Sequence, residues 1–232
     1  MSHPQIQVRD TPAKAIKLFS LEIFILMILF FLALTIFVLI ARTIITHNTY
    51  QFDVSAFDFL DARINQANTG IMEFFTFLGT HWFLIPANII LSLWFLFVEK
   101  KRWLSIKIPA IALSSVILMA ILKFTFERVR PDNPVILATG YSFPSGHALM
   151  SVTFYGLIIY IASEKFKTLL PKILTAVFFS FLIIIIGISR VYLRVHYASD
   201  VIAGFCVGFM WLLLSILVTN YLERKNRHLK KN

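Results

Sequence analysis

An all-α, polytopic membrane protein with six transmembrane helices is the fold class that three observations predict. Of 232 residues, 58% are hydrophobic and only 15% charged, too little polar material to cover a water-facing globule. The apolar residues, 24 Phe among them, lie in long runs rather than in an amphipathic rhythm. Six of these runs approach the roughly 20 helical residues needed to cross a hydrocarbon core about 30 Å thick. A soluble enzyme, a disordered tail and a DNA-binding module are therefore poor fits.

The spans are expected at about Leu18–Ala41, Leu78–Val98, Ile106–Leu122, Pro144–Ser163, Ile173–Ser189 and Asp200–Leu222. The first follows Arg9, Lys14 and Lys17, as a secretion signal would, but its apolar run exceeds the ~7 to 15 residues of a cleavable one and predicts a retained helix. Glu22 near its start reads as interfacial. The third span is bracketed by Lys107 and Lys123, and it and the fifth are short. Between the first two spans, residues 51–66 mix Phe52, Ala56, Phe59 and Leu60 with Asp53, Asp58 and Asp61, the pattern of a short helix lying on the outer surface. Val54 and Phe57 fall outside that stripe. With no repeat and no Gly/Ser linker, residues 1–232 are expected to form one domain, with 1–17 and the basic tail 223–232 flanking it. Cys206 is the only cysteine, which excludes an intramolecular disulfide.

Six spans place both termini on one side. The segments that would share that side hold 15 of the 22 Lys and Arg, so both termini are expected in the cytoplasm of a plasma (inner) membrane protein. The other face carries seven cations and seven carboxylates, so the net charge of +10 arises inside. The tail then reads as an anchor for anionic headgroups rather than as a nucleic-acid site. No nucleic acid and no obligate protein partner are implied, only membrane lipids.

Three polar clusters stand where spans meet loops. Lys123 precedes Glu127, Arg128 and Arg130-Pro131; Pro144-Ser145-Gly146-His147 opens the fourth span; Ser189-Arg190 closes the fifth, and His196 and Asp200 open the sixth. The chain crosses twice between His147 and His196, so the clusters share a face in either orientation. Taken singly, each is ordinary. Lys123 and Arg190 could be snorkelling end anchors, Pro144-Ser145 a helix start whose hydroxyl caps backbone N–H groups, the histidines interfacial groups bonded to water, and Asp200 a first-turn acid. Gathered on one face of an oily protein, where charge is costly unless used, they point to a site.

The residue types suit a phosphoryl group. Lys123, Arg130 and Arg190 can meet its oxygens with charge and forked hydrogen bonds. Ser145 and Gly146 open a helix N-terminus toward it, and Gly146 permits close approach. Asp200, four residues after His196, can hold one ring nitrogen and present the other as a nucleophile. His147 can protonate the leaving oxygen. These cations would repel a metal ion, so no metal and no cofactor are expected.

Lys123 with six residues before Arg130-Pro131, then Pro144-Ser145-Gly146-His147, then Ser189-Arg190 with five residues before His196 and three more before Asp200, resembles the type 2 phosphatidic acid phosphatase superfamily. The resemblance implies a metal-independent membrane lipid phosphatase with a phosphohistidine intermediate. It makes His196 the nucleophile, Asp200 its orienting partner and His147 the acid, with Lys123, Arg130, Ser145, Gly146 and Arg190 binding phosphate. Ala198 departs from the proline often found there. Arg128 and Arg194 lie outside the signature and read as headgroup contacts. An outward-facing site suits undecaprenyl pyrophosphate first, with phosphatidylglycerol phosphate and phosphatidic acid as alternatives. Rival readings are a phosphotransferase with a lipid or sugar acceptor and a non-enzymatic lipid transporter, the latter disfavoured by the intact nucleophile, acid and cations.

Overall fold

The computed structural model describes residues 12–47 and 51–229, and the side chains within them except those of 12–20, 22, 47 and 228. The expectations for Glu22 and for the extreme termini fall outside the described residues. Eight α-helices occur among the rest: α1 (Pro12–His47), α2 (Gln51–Asp61), α3 (Gln66–Phe77), α4 (His81–Leu93), α5 (Arg102–Phe126), α6 (Gly146–Lys165), α7 (Leu169–Tyr192) and α8 (Ala198–Leu229). A single π-helical turn, Trp94–Val98, continues α4. Six helices, α1, α4 with its π turn, and α5 to α8, are long and apolar enough to span a membrane.

The expected spans are all present; most helices outrun their hydropathy boundaries, whereas α4 starts at His81 rather than Leu78 and α6 at Gly146 rather than Pro144. α5 runs for 25 residues and α7 for 24, so neither the third nor the fifth span is short. Backbone hydrogen bonding continues past the first charged side chain, whose stem can stay in the apolar layer while its head finds a partner. Lys107 is accordingly an internal residue of α5, buried, with its Nζ 2.6 Å from both Asn220 Oδ1 and Glu223 Oε2. α8 likewise carries helical structure through the tail to Leu229. The sequence reading offered no helix for 66–77, yet α3 forms there, started by the Asn65 side chain accepting from the Asn68 N–H at 2.9 Å.

α6 is the central strut. It packs against α8, α7 and α5, and more than half of its span is buried. Its contact with α8 is close because Gly204 and Gly208 meet backbone atoms of Ser145 and Leu149. α1 lies along α8, with Ala33 against Leu149, Val207 and Met210, and with Ala41 and Ile44 against Phe143 and Ala203. The outward faces of α1, α4, α5 and α7 carry large exposed apolar side chains such as Phe24, Ile90, Phe124 and Phe178, the surface a lipid-facing helix requires.

The short helix expected within 51–66 is α2, but its buried side differs from the expected stripe. Ala56, Phe57 and Leu60 pack on Val191, Ala198 and Val201, while Phe52 and Phe59 are exposed. The rotation has a polar cause. Asp53 is completely buried and takes α2 down onto Arg128 and Ser199, which turns Phe52 outward and Phe57 inward.

Candidate active site

Each of the three polar clusters is held by a helix end on one face. The last turn of α5 presents Lys123, and Glu127 closes that helix in the left-handed region (φ 46°), its N–H reaching Lys123 O at 3.0 Å. The chain then runs as a loop from 128 to 145. Arg130 organises this loop by donating to three carbonyls: Nε to Gly140 O (2.9 Å), Nη2 to Thr139 O (2.9 Å) and Nη1 to Val195 O (2.5 Å). Lys123 Nζ donates to Tyr141 O. A further tie, Ser145 N–H to Asp200 O at 3.0 Å, fixes the start of α6 against the start of α8.

Ser145 is the N-cap of α6, but its hydroxyl makes no capping bond. The ordinary reading of Ser145 as a serine cap therefore does not hold: the buried Oγ is without a hydrogen-bond partner among the described residues, as are His147 Nε2, Arg190 Nε and Ser151 Oγ. Buried polar atoms are normally paired, and leaving one unpaired costs roughly 1–3 kcal/mol. Three of the four belong to residues that the sequence marks for an anion and its leaving group. They leave a hydroxyl, a ring nitrogen and a guanidinium N–H free to meet an oxyanion.

A Cβ at Gly146 would stand 2.5 Å from Met119 Sδ, which would have to shift, and 3.9 Å from Lys123 Cε, so glycine leaves this helix start open beside Lys123. Gly79, in the turn after α3, lies against the His147 ring in the same way, with its Cβ position 3.2 Å from Cδ2. Arg190, at the end of α7, donates through Nη1 to Thr76 Oγ1 at 2.5 Å.

His196 does not stand on a helical turn, because α8 begins two residues later at Ala198. The expected contact forms nonetheless. Asp200, in the first turn, reaches back so that its Oδ2 accepts from Tyr197 N–H at 3.0 Å and lies 3.5 Å from His196 Nδ1. Nε2 is thereby left for the site, 3.4 Å from Arg130 Nη1. Burial pushes the His196 imidazole well below its ordinary value, against the opposing pull of Asp200. The ring is therefore neutral at physiological pH, and the nitrogen away from Asp200 keeps its lone pair.

Behind this pair lies a layer that sequence reasoning missed. Ser142 Oγ donates to Asp200 Oδ2 and is 3.4 Å from His196 Nδ1. Arg128 is not a headgroup contact. It is buried, with Nη1 2.5 Å from Asp200 Oδ1 and Nη2 3.0 Å from Asp53 Oδ2, and its guanidinium lies 4.0 Å over the Tyr197 ring. Asp53 in turn accepts from Ser199 N–H (2.8 Å) and Ser199 Oγ (2.7 Å). Arg194 pairs with Asp61 of α2 rather than standing free for headgroups. Asp53 and Arg128 are 75 residues apart, and no local pattern announces such a pair.

The model of the PAP2 superfamily matches residues 105–224. The chain is 34% identical over 170 residues to phosphatidylglycerophosphatase B of Bacillus subtilis, covering 72% of this chain and 80% of that one. It is 28% identical over 200 residues to an undecaprenyl-diphosphatase of Sulfolobus acidocaldarius, covering 83% and 89%. Among solved structures, a transmembrane PAP2-type phosphatidylglycerolphosphate phosphatase from Bacillus subtilis superposes with a TM-score of 0.75 at 27% identity, covering 82% of this chain and 94% of that one. LpxE of Aquifex aeolicus shares the fold with a TM-score of 0.57 at 21% identity, over 72% and 96%. Six spanning helices, three motifs in order on one face and a family match over half the chain lead to one conclusion: the chain belongs to the PAP2 superfamily and is a membrane lipid phosphatase.

Proposed function

We propose that His196 is the nucleophile of this phosphatase, with Asp200 as its positioning partner and His147 as the general acid. The observation that carries the reading is the division of the His196 ring, Nδ1 facing Asp200 and Nε2 facing Arg130. Lys123, Arg130, Arg190, Ser145 and the first-turn N–H groups at Gly146 bind the phosphoryl oxygens. Nε2 attacks phosphorus as the bond to the lipid-side oxygen breaks, and His147 delivers a proton to that departing oxygen. Water then attacks the phosphohistidine as His147 takes its proton, the P–N bond breaks, and inorganic phosphate leaves. The positive charge is supplied by side chains, so the reaction proceeds without a metal.

The phosphate lies at headgroup level and the lipid tail against the apolar exterior. Positive residues outside the site favour a plasma-membrane protein with cytoplasmic termini and an outward active site. In that setting undecaprenyl pyrophosphate is the first substrate, since recycling a lipid carrier needs an outward-facing phosphatase. The 34% identity to a phosphatidylglycerophosphatase supports phosphatidylglycerol phosphate as the second.

Phosphate release from both lipids, with EDTA present, ranks the two substrates. EDTA should leave the rate unchanged and vanadate should inhibit by mimicking the five-coordinate phosphoryl centre. Rescue of an EDTA-silenced enzyme by a divalent ion would defeat the cation-only mechanism. His196→Ala should trap no labelled phosphate and lose turnover by roughly 10⁴-fold or more, as loss of a catalytic nucleophile does elsewhere. Near wild-type turnover by that variant would remove the phosphohistidine.

A further inference from the structure

A cavity of about 700 Å³ lies at the opposite ends of the helices that build the candidate active site, and the chemistry above gives it no role. α5 carries Lys123 at its end and opens with Arg102 at this cavity; α6 and α8 start beside the catalytic histidines and reach it with Lys165 and with Arg224 and Arg227. A 25-residue helix is about 37 Å long. This cavity and the candidate active site therefore lie on opposite faces of the membrane, whichever face is outside.

Seven basic and two acidic residues line this cavity. Its floor is built rather than merely solvated. Lys107, 6% exposed, donates to Asn220 and pairs with Glu223, and Asn220 Nδ2 donates to the Tyr160 hydroxyl at 3.1 Å. Glu223 also takes Arg227, and Glu99 nearby takes Lys101 and Lys165, while Glu164, the other lining carboxylate, has no ion-pair partner among the described residues. Lys100, Arg102 and Arg224 have no ion-pair partner among the described residues. Lys100 adopts φ 54°, a left-handed conformation that is uncommon for a residue with a side chain and that clusters at binding sites. Trp103, Leu104 and Ile161, each half-buried, supply apolar wall beside the charges.

A concave wall with three unpaired cations against one unpaired carboxylate and with an apolar edge, at the depth where three spanning helices end, matches a group that is anionic at one end and apolar at the other. We propose that this cavity is a binding site for the phosphate group of an anionic membrane lipid, taken from the leaflet opposite the active site. A topology anchor needs only a positive face. A floor of Lys107, Asn220, Glu223 and Tyr160 under three unpaired cations is a shape that one headgroup can fill.

The test is native mass spectrometry of the full chain in detergent, titrated with phosphatidylglycerol or phosphatidylcholine. Wild type should retain phosphatidylglycerol saturably and phosphatidylcholine not at all. Arg102→Gln/Arg224→Gln should bind phosphatidylglycerol at least about tenfold more weakly, as the loss of two headgroup-facing charges implies. Arg102→Lys/Arg224→Lys should restore binding, and phosphatase activity in detergent should be unchanged in both. Any phosphatidylglycerol held at the active site is common to all forms, so the difference reports this cavity and stands even if the catalytic assignment fails. Equal retention by wild type and the Gln variant would overturn the proposal. Displacement of the lipid by millimolar glycerol 3-phosphate would assign the cavity to a soluble phosphate ester and overturn the lipid source.

Discussion

Asp200 is approached from four directions: by the Ser142 hydroxyl, the Tyr197 N–H, the Arg128 guanidinium and the His196 ring. An acid that merely complemented a helix dipole would need none of these. Arg128 is itself shared with Asp53, so the position of the His196 ring depends on a carboxylate from α2, a helix outside all three motifs. Removing one member of a buried ion pair costs about 3–5 kcal/mol, because the partner remains buried and uncompensated. Asp53→Ala should therefore lower the unfolding temperature in detergent sharply and reduce phosphate release, as Arg128 turns its full charge on Asp200. Asp53→Asn keeps an acceptor for Ser199 N–H and should lose less of both. Wild-type stability and rate in Asp53→Ala would show that this layer supports neither. The motif residues were legible in the sequence because their spacing is local and their chemistry distinctive. Asp53, Ser142 and Thr76 were not, since each is an ordinary polar residue until a segment between 58 and 146 residues away folds against it.

The helices were legible as apolar runs, and their close packing was not. α6 and α8 approach until a Cβ on Gly204 would sit 2.7 Å from Ser145 O, and one on Gly208 2.8 Å from Leu149 O. Both obstacles are backbone atoms, which cannot swing aside as a flexible side chain can. Gly204→Ala should push Ser145 away from α8 and disturb its N–H bond to Asp200 O, with a loss of about 1–3 kcal/mol from overpacking and a parallel fall in activity. Gly70 provides the contrast, because nothing lies within 4 Å of its Cβ position in α3. Gly70→Ala should be neutral or stabilising by up to about 1 kcal/mol, through helix propensity alone. Thermal unfolding of the two variants side by side checks both signs, and equal behaviour would dissociate the α6–α8 approach from stability. α3 itself escaped the sequence reading because hydropathy marks a helix only where apolar residues run together. In Gln66–Phe77 polar and apolar residues alternate too irregularly to give a run or a clean stripe.

At the scale of the whole molecule, the arrangement divides charge by purpose as well as by side. Seven Lys and Arg lie on the active-site face, the one proposed to be outer, and the structure gives most of them work other than fixing topology. Lys123, Arg130 and Arg190 line the site, Arg128 is buried between two aspartates, and Arg194 is paired with Asp61. Discounting them leaves the opposite face with a still larger share of the free positive charge, in line with the proposal that this face is cytoplasmic. Single cysteines at Asn133, exposed in the loop after Arg130, and at Asn226, near the end of α8, test this in a Cys206→Ser background. Position 133 should react with an impermeant maleimide on intact cells, and position 226 only after the membrane is opened. The reverse pattern would turn His147 and His196 toward the cytoplasm. It would also place the basic cavity against the outer leaflet, and it would favour phospholipid synthesis over the recycling of a lipid carrier as the setting for the enzyme.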